Sequence, residues 1–194
     1  MSKTPILTAA VVAFALLLLS SCSTRLSDYE NQGEALDLKT YFDGPVVAWG
    51  MLQDYNEKVT RRFCVEMVGT WKQQDGTDVG VLDEMFYFDD GEVSQRVWTL
   101  TRQRGTAYVG SASDVVGEAS GESKGFAFQW QYTLEVTVDG STYEFQLDDW
   151  IYQMDEYRLF NRTDMNKFGM TLATITIFFD KEQPLRNCKT FQTK

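Results

Sequence analysis

FAFQWQYTLEVTVDGSTYEFQLDDWIYQ, residues 126–153, decides the fold, because its turn fixes the pairing of everything around it. Asp139-Gly140 is a two-residue loop of the kind that needs positive φ at both positions, so it reads as the tip of a β-hairpin. Val138 then faces Ser141, and the ladder runs on through Val136–Tyr143, Leu134–Phe145, Tyr132–Leu147 and Trp130–Asp149. That face is almost wholly apolar. Its opposite carries Gln129, Gln131, Thr133, Glu135 and Thr137 against Thr142, Glu144, Gln146 and Asp148. Side chains alternate across a strand, so one face belongs to a core or cavity and the other to water. Asp149 is the exception on the apolar face.

LDEMFYFDDGEVSQRVW, residues 82–98, registers in the same way. Asp89-Asp90-Gly91 suits a three-residue loop with glycine in the left-handed position. Phe88 then faces Glu92, Phe86 faces Ser94, Glu84 faces Arg96, and Leu82 faces Trp98. Glu84 and Arg96 therefore come out as direct cross-strand partners on the apolar side.

Outward from these hairpins, strand patterns fill the chain at 46–54, 59–71, 78–88, 92–103, 105–114, 126–138, 141–153, 156–162 and 170–179. About nine strands, short polar breaks and no long helical period predict an all-β fold. Sequential hairpins favour an antiparallel up-and-down β-barrel of lipocalin/calycin-like architecture, since closure removes exposed edges; a sandwich is the alternative. Trp49 lies in the first strand, as the lipocalin tryptophan does, but the Gly-x-Trp spacing is absent. GEASGESKG, residues 117–125, spaces its glycines every four residues and reads as a mobile loop, and as a lid if the barrel is open.

The N-terminus reads as a lipoprotein signal peptide. Lys3 supplies the positive start, Ile6 to Leu19 form an apolar run too short to span a bilayer, and Leu19-Ser20-Ser21-Cys22 matches a lipobox. The expected organisation is a cleaved signal at 1–21, a lipidated tether at 22–35 with the acyl chains on Cys22, and a single barrel domain at 36–194. Residues 36–42 suggest a short amphipathic turn. Ser23, a non-aspartate after the cysteine, implies the outer membrane, with the barrel facing the periplasm. Cys64 and Cys188 then remain as a pair in an oxidising compartment, either joined as a disulfide or left as packed thiols.

Composition narrows the function classes. The chain of 194 residues carries a net charge of −10, against nucleic acid and against electrostatic docking on anionic lipid. There is no histidine, which removes His-based triads, His-ligated haem and the usual zinc sites. Asp89-Asp90 and Asp148-Asp149 point to opposite faces within each pair and show no calcium-loop spacing. No phosphate loop, dinucleotide fingerprint or nucleophile elbow is present, so no cofactor and no catalytic residue is expected.

Glu84, Arg96 and Asp149 form the candidate site, with Phe86, Trp98, Trp130 and Phe145 as its apolar wall and Arg162 or Lys167 as possible additions. An inward arginine can hold an anionic head group while aromatic walls take a chain. A buried Glu–Arg pair can equally satisfy itself and pin the register.

The ordered motifs RRF (61–63), EMFYFDDG (84–91), RVW (96–98), DVVGEASGESKGFAFQW (114–130), DDWIY (148–152) and NRTDMNKFG (161–169) resemble an uncharacterised family of proteobacterial lipoproteins, known as a domain of unknown function. The resemblance spans nearly the whole mature domain. Phe126 stands where asparagine is usual, which removes a polar role there. The family has no established activity; its genes often neighbour ones resembling cyclopropane-fatty-acid synthases, which implies envelope lipids. The leading expectation is thus a lipid-anchored barrel that binds an apolar or amphipathic ligand such as a fatty acid. A filled barrel with a structural or interaction role is the rival, and a lipid-modifying enzyme using the inward carboxylates the third reading.

Overall fold

The computed structural model describes residues 24–138, 140–185 and 188–193. The signal sequence and Cys22 lie outside the described residues. Ten antiparallel strands close into one barrel: β1 (Gly44–Asp54), β2 (Val59–Gln74), β3 (Thr77–Phe88), β4 (Val93–Arg102), β5 (Tyr108–Ser111), β6 (Val115–Lys124), β7 (Ala127–Val138), β8 (Ser141–Gln153), β9 (Arg158–Lys167) and β10 (Met170–Asp180). Each strand pairs with its neighbour in the chain, and β1 pairs with β10 to shut the ring. It is a lipocalin-like meander closed into a ring.

Both hairpins keep the register that their turns dictate. In β7–β8 the pairs run from Val138↔Ser141 to Trp130↔Asp149, with Gly140 at φ 78°. In β3–β4, Gly91 sits at φ 93°, and Glu84↔Arg96 and Leu82↔Trp98 face one another.

The strand count is ten rather than nine because residues 117–124 are not a loop. They belong to β6, which pairs with β7 from Val115↔Leu134 to Lys124↔Ala127 and kinks at Gly117 (φ 74°), where the register shifts between Val116 and Ser120. Its inward positions are Ala119, Gly121 and Ser123, and they must be small. A Cβ on Gly121 would lie 2.8 Å from the Trp130 ring and 2.1 Å from the Gln129 carbonyl oxygen. The large apolar residues that announce a strand are supplied from across the ladder by β7. β9 also runs past the expected 162 to Lys167.

One end of the barrel is capped. The helix α1 (Leu38–Tyr41) lies across it, burying Leu36, Leu38, Tyr41 and Phe42 in the main core. Trp71 donates its indole N–H to the Phe42 carbonyl at 3.2 Å, and Ser123 donates to the Leu36 carbonyl. Asp37 accepts the Tyr108 hydroxyl at 2.6 Å and pairs with Arg102. Just upstream, the stretch read as a tether makes a 3-10 turn at Leu26–Tyr29, and the Tyr29 ring packs 5.3 Å from Phe126 and 5.8 Å from Tyr152. Past β10, a second 3-10 turn (Cys188–Thr193) lies on the outer wall, where Cys188 is disulfide-bonded to Cys64 of β2. Val47, Trp49 and Tyr87 pack beneath this strap.

Candidate functional site

A closed barrel must either fill its lumen with side chains or leave room. Here a cavity of ≈ 270 Å³ remains. Leu38 and Phe42 of the cap region bound it at one end, and Leu52, Arg61 and Phe88 stand at the other. That far end is the mouth, ringed by the turns between β1–β2, β3–β4, β5–β6, β7–β8 and β9–β10. Arg61 lies across it, its guanidinium 3.5 Å from the Phe88 ring centroid and paired with Asp90 and Glu92 of the β3–β4 turn.

Most of the wall is apolar, and the polar groups gather on one band. Glu84 and Arg96 enter from the β3–β4 hairpin, Tyr132 and Asp149 from β7–β8, and Asn161 and Thr163 from β9. All point inward because they share parity with the core residues of their strands. Trp98 packs edge-on against Trp130 at 5.9 Å and Tyr132 at 5.4 Å, so the aromatic wall adjoins the polar band.

The Arg96 guanidinium makes no hydrogen bond to Glu84 and acts on it through its charge alone. Its Nε donates to Asp114 Oδ2 at 2.9 Å and its Nη2 is ion-paired with the same oxygen at 2.7 Å, although Glu84 is its cross-strand neighbour. Asp114 can be reached because β5 is short: it pairs with β4 only over Thr99–Arg102, which leaves residues 93–98 of β4 to look across a gap toward the start of β6. The ion pair spans that gap.

Glu84 is 8% exposed and makes no hydrogen bond or ion pair among the described residues. Burial pushes its pKa up to about 7, and Arg96 nearby offsets only part of the effect. Burial likewise lifts Asp149 to about 6, against the pull of the Thr163 and Tyr132 hydroxyls. Asp149 Oδ1 and Asp114 Oδ1 are buried with no hydrogen-bond partner among the described residues. Burial and the Asp149 charge raise Tyr132 well above the usual phenol range.

Of the residues read as a site, Arg96, Glu84, Trp98, Phe86, Trp130 and Asp149 all line the cavity. Phe145 does not; it sits in a separate cluster with Leu134, Leu147 and Met165, nearer the mouth end of β8. Arg162 points outward to Asp164 at 3.4 Å, and Lys167 donates to the Glu144 carbonyl at 3.0 Å, so neither joins the site. Thr163 lies past the strand pattern of 156–162 and Asn161 within it; their alternation with Arg162 and Asp164 is the signal that places both inward.

The fold and lumen define a class: hollow antiparallel barrels with an apolar interior and a localised polar band. Within it, the chain belongs to the family described as Protein of unknown function (DUF3833), which matches residues 16–181. No curated protein matches the sequence. Among solved structures the chain is similar to the S-type phycobiliprotein lyase CPES from Guillardia theta, with a TM-score of 0.53. The two are 7% identical, and the match covers 74% of this chain and 90% of the lyase chain. That similarity concerns the fold.

Proposed function

We propose that this protein is a lipid-anchored envelope carrier whose barrel binds a small apolar or amphipathic ligand of lipid type. The observation that carries the reading is the cavity. A filled barrel would leave no space on this scale, since one water needs only roughly 10–15 Å³. At ≈ 270 Å³ the lumen is near the lower end of ligand pockets, roughly 300–1,000 Å³. It suits one chain or one compact apolar body rather than a two-chain lipid.

In this reading Cys22 carries the acyl anchor in the outer membrane, and the barrel faces the periplasm. Tyr29 docks beside Phe126, at the capped end. The seven residues back to Cys22 reach at most about 24 Å when extended. The capped end is then held toward the bilayer, and the mouth opens away from it.

Two measurements test the proposal. Native mass spectrometry of protein purified from its own membranes should reveal a bound single-chain species that solvent extraction releases. Protein that carries nothing and takes up no alkyl-chain probe would return the rival, a structural barrel. For the anchor, Cys22→Ala should abolish palmitate labelling and move the protein to the soluble fraction; retained label would refute lipidation at that site.

A further inference from the structure

The ligand's polar end has to meet the interior charges, and these are unbalanced. Arg96 is the one cation on the polar band, and Asp114 already binds it through both Nε and Nη2. The lumen's other arginine, Arg61, stands at the mouth, occupied by Asp90 and Glu92. Glu84 and Asp149 face the cavity with no ion pair of their own among the described residues. Glu84 is more than nine-tenths buried, with no hydrogen bond among the described residues and only the charge of Arg96 to favour its ionised form, and Asp149 Oδ1 is a buried acceptor with no donor among them.

An anionic head group here would be a further negative charge beside a guanidinium that already answers to both Asp114 and Glu84. Buried like charges disfavour one another strongly. A donor head group instead supplies what the band lacks, a hydrogen to Glu84 and to Asp149 Oδ1. The Arg96 guanidinium already lies 5.7 Å and 6.0 Å from the Phe86 and Trp98 ring centroids, so the pull on a ligand cation comes from the carboxylates. A metal ion is not the complement: among the described residues no three carboxylates or cysteines converge closely enough to hold one.

We infer that the cavity selects single-chain amphipaths whose head is a hydrogen-bond donor, an ammonium above all, and rejects the matching carboxylate. This rests on the ligand-binding reading above. It reverses the expected role of Arg96, which serves the wall rather than the ligand.

Isothermal titration of the full-length protein at pH 7.5 with octylamine, 1-octanol and octanoate separates the two ideas. Octylamine should bind about tenfold or more tighter than octanoate, with 1-octanol between them. In the double variant Glu84→Gln/Asp149→Asn, the amine-to-carboxylate ratio should fall to about threefold or less, with the near-UV circular dichroism of the parent retained. Octanoate binding as tightly as octylamine, or a ratio that survives in the folded variant, overturns the inference and leaves a ligand-binding barrel standing. Failure of all three probes removes the ligand-binding reading itself and the inference with it.

Discussion

A carboxylate taken out of water without a counter-ion resists ionisation, and Glu84 meets that condition most fully. Around it stand Arg96 on β4, Asp114 before β6, Asp149 on β8, Tyr132 on β7 and Asp83 on its own strand. Of these only Arg96 favours its charged form. An acid whose pKa is higher in the folded protein than in the unfolded chain binds more protons when folded, so stability falls as pH rises between the two values. For Glu84 the window runs from 4.5 to about 7, and Asp149 acts in the same direction from 3.8 to about 6. Above that window the Glu84 charge costs about 3 kcal/mol. Glu84→Gln should therefore be more stable than the parent at pH 8 and nearly equal to it at pH 4.5, as read from urea unfolding at each pH. An equal shift at both values would mean that the residue acts through packing alone. The position of Glu84 was legible, because turn length fixes which residues oppose. The hydrogen-bond partner of Arg96 was not. Asp114 lies 18 residues beyond Arg96 in sequence, and which of two reachable carboxylates a guanidinium takes depends on a gap in the sheet that no local pattern encodes.

Strands announce themselves by large alternating side chains, so the elements legible here were those that supply the bulk. β7 and β8 supply rings and were registered correctly from a single turn. β6 supplies the space that those rings occupy, and its Ala119, Gly121 and Ser123 read as a loop. The same blindness applies wherever a wall is thinned to admit a neighbour's indole. A different mismatch marks the β9–β10 turn. Phe168-Gly169 closes it with φ of 53° and 76°, a geometry that prefers Asn-Gly, yet Phe168 is an exposed aromatic. A bulky residue held in the left-handed region costs roughly 1–2 kcal/mol. Phe168→Asn should raise stability by about 1 kcal/mol, measured as a higher urea midpoint with an unchanged denaturant slope. An unchanged or lower midpoint would show that the ring earns its place through contacts with Lys167 at the mouth.

At the scale of the whole molecule, successive hairpins foretold the meander, and aversion to open edges foretold its closure. Sequence could not foretell whether the lumen was filled, because core and cavity walls are lined by the same residue types. Cys64 and Cys188 read as a possible pair, and the fold joins them at a Cα separation of 5.2 Å across 124 residues of chain. A loop of that length implies a contribution of about 5 kcal/mol on the chain-entropy account. Cys64→Ser/Cys188→Ser should lower unfolding free energy by about 2–5 kcal/mol while leaving far-UV circular dichroism intact; a loss under about 1 kcal/mol would mean that the strap adds nothing to the closed sheet. The bond also has a topological effect. It joins β2 to the tail that follows β10, so those strands and all between them form a covalent hoop, and β1 is a single stave set into it. Losing the stave cannot unroll the hoop. Elsewhere on the circumference, where β5 is short, the fastening between β4 and the start of β6 is the non-covalent Arg96–Asp114 pair.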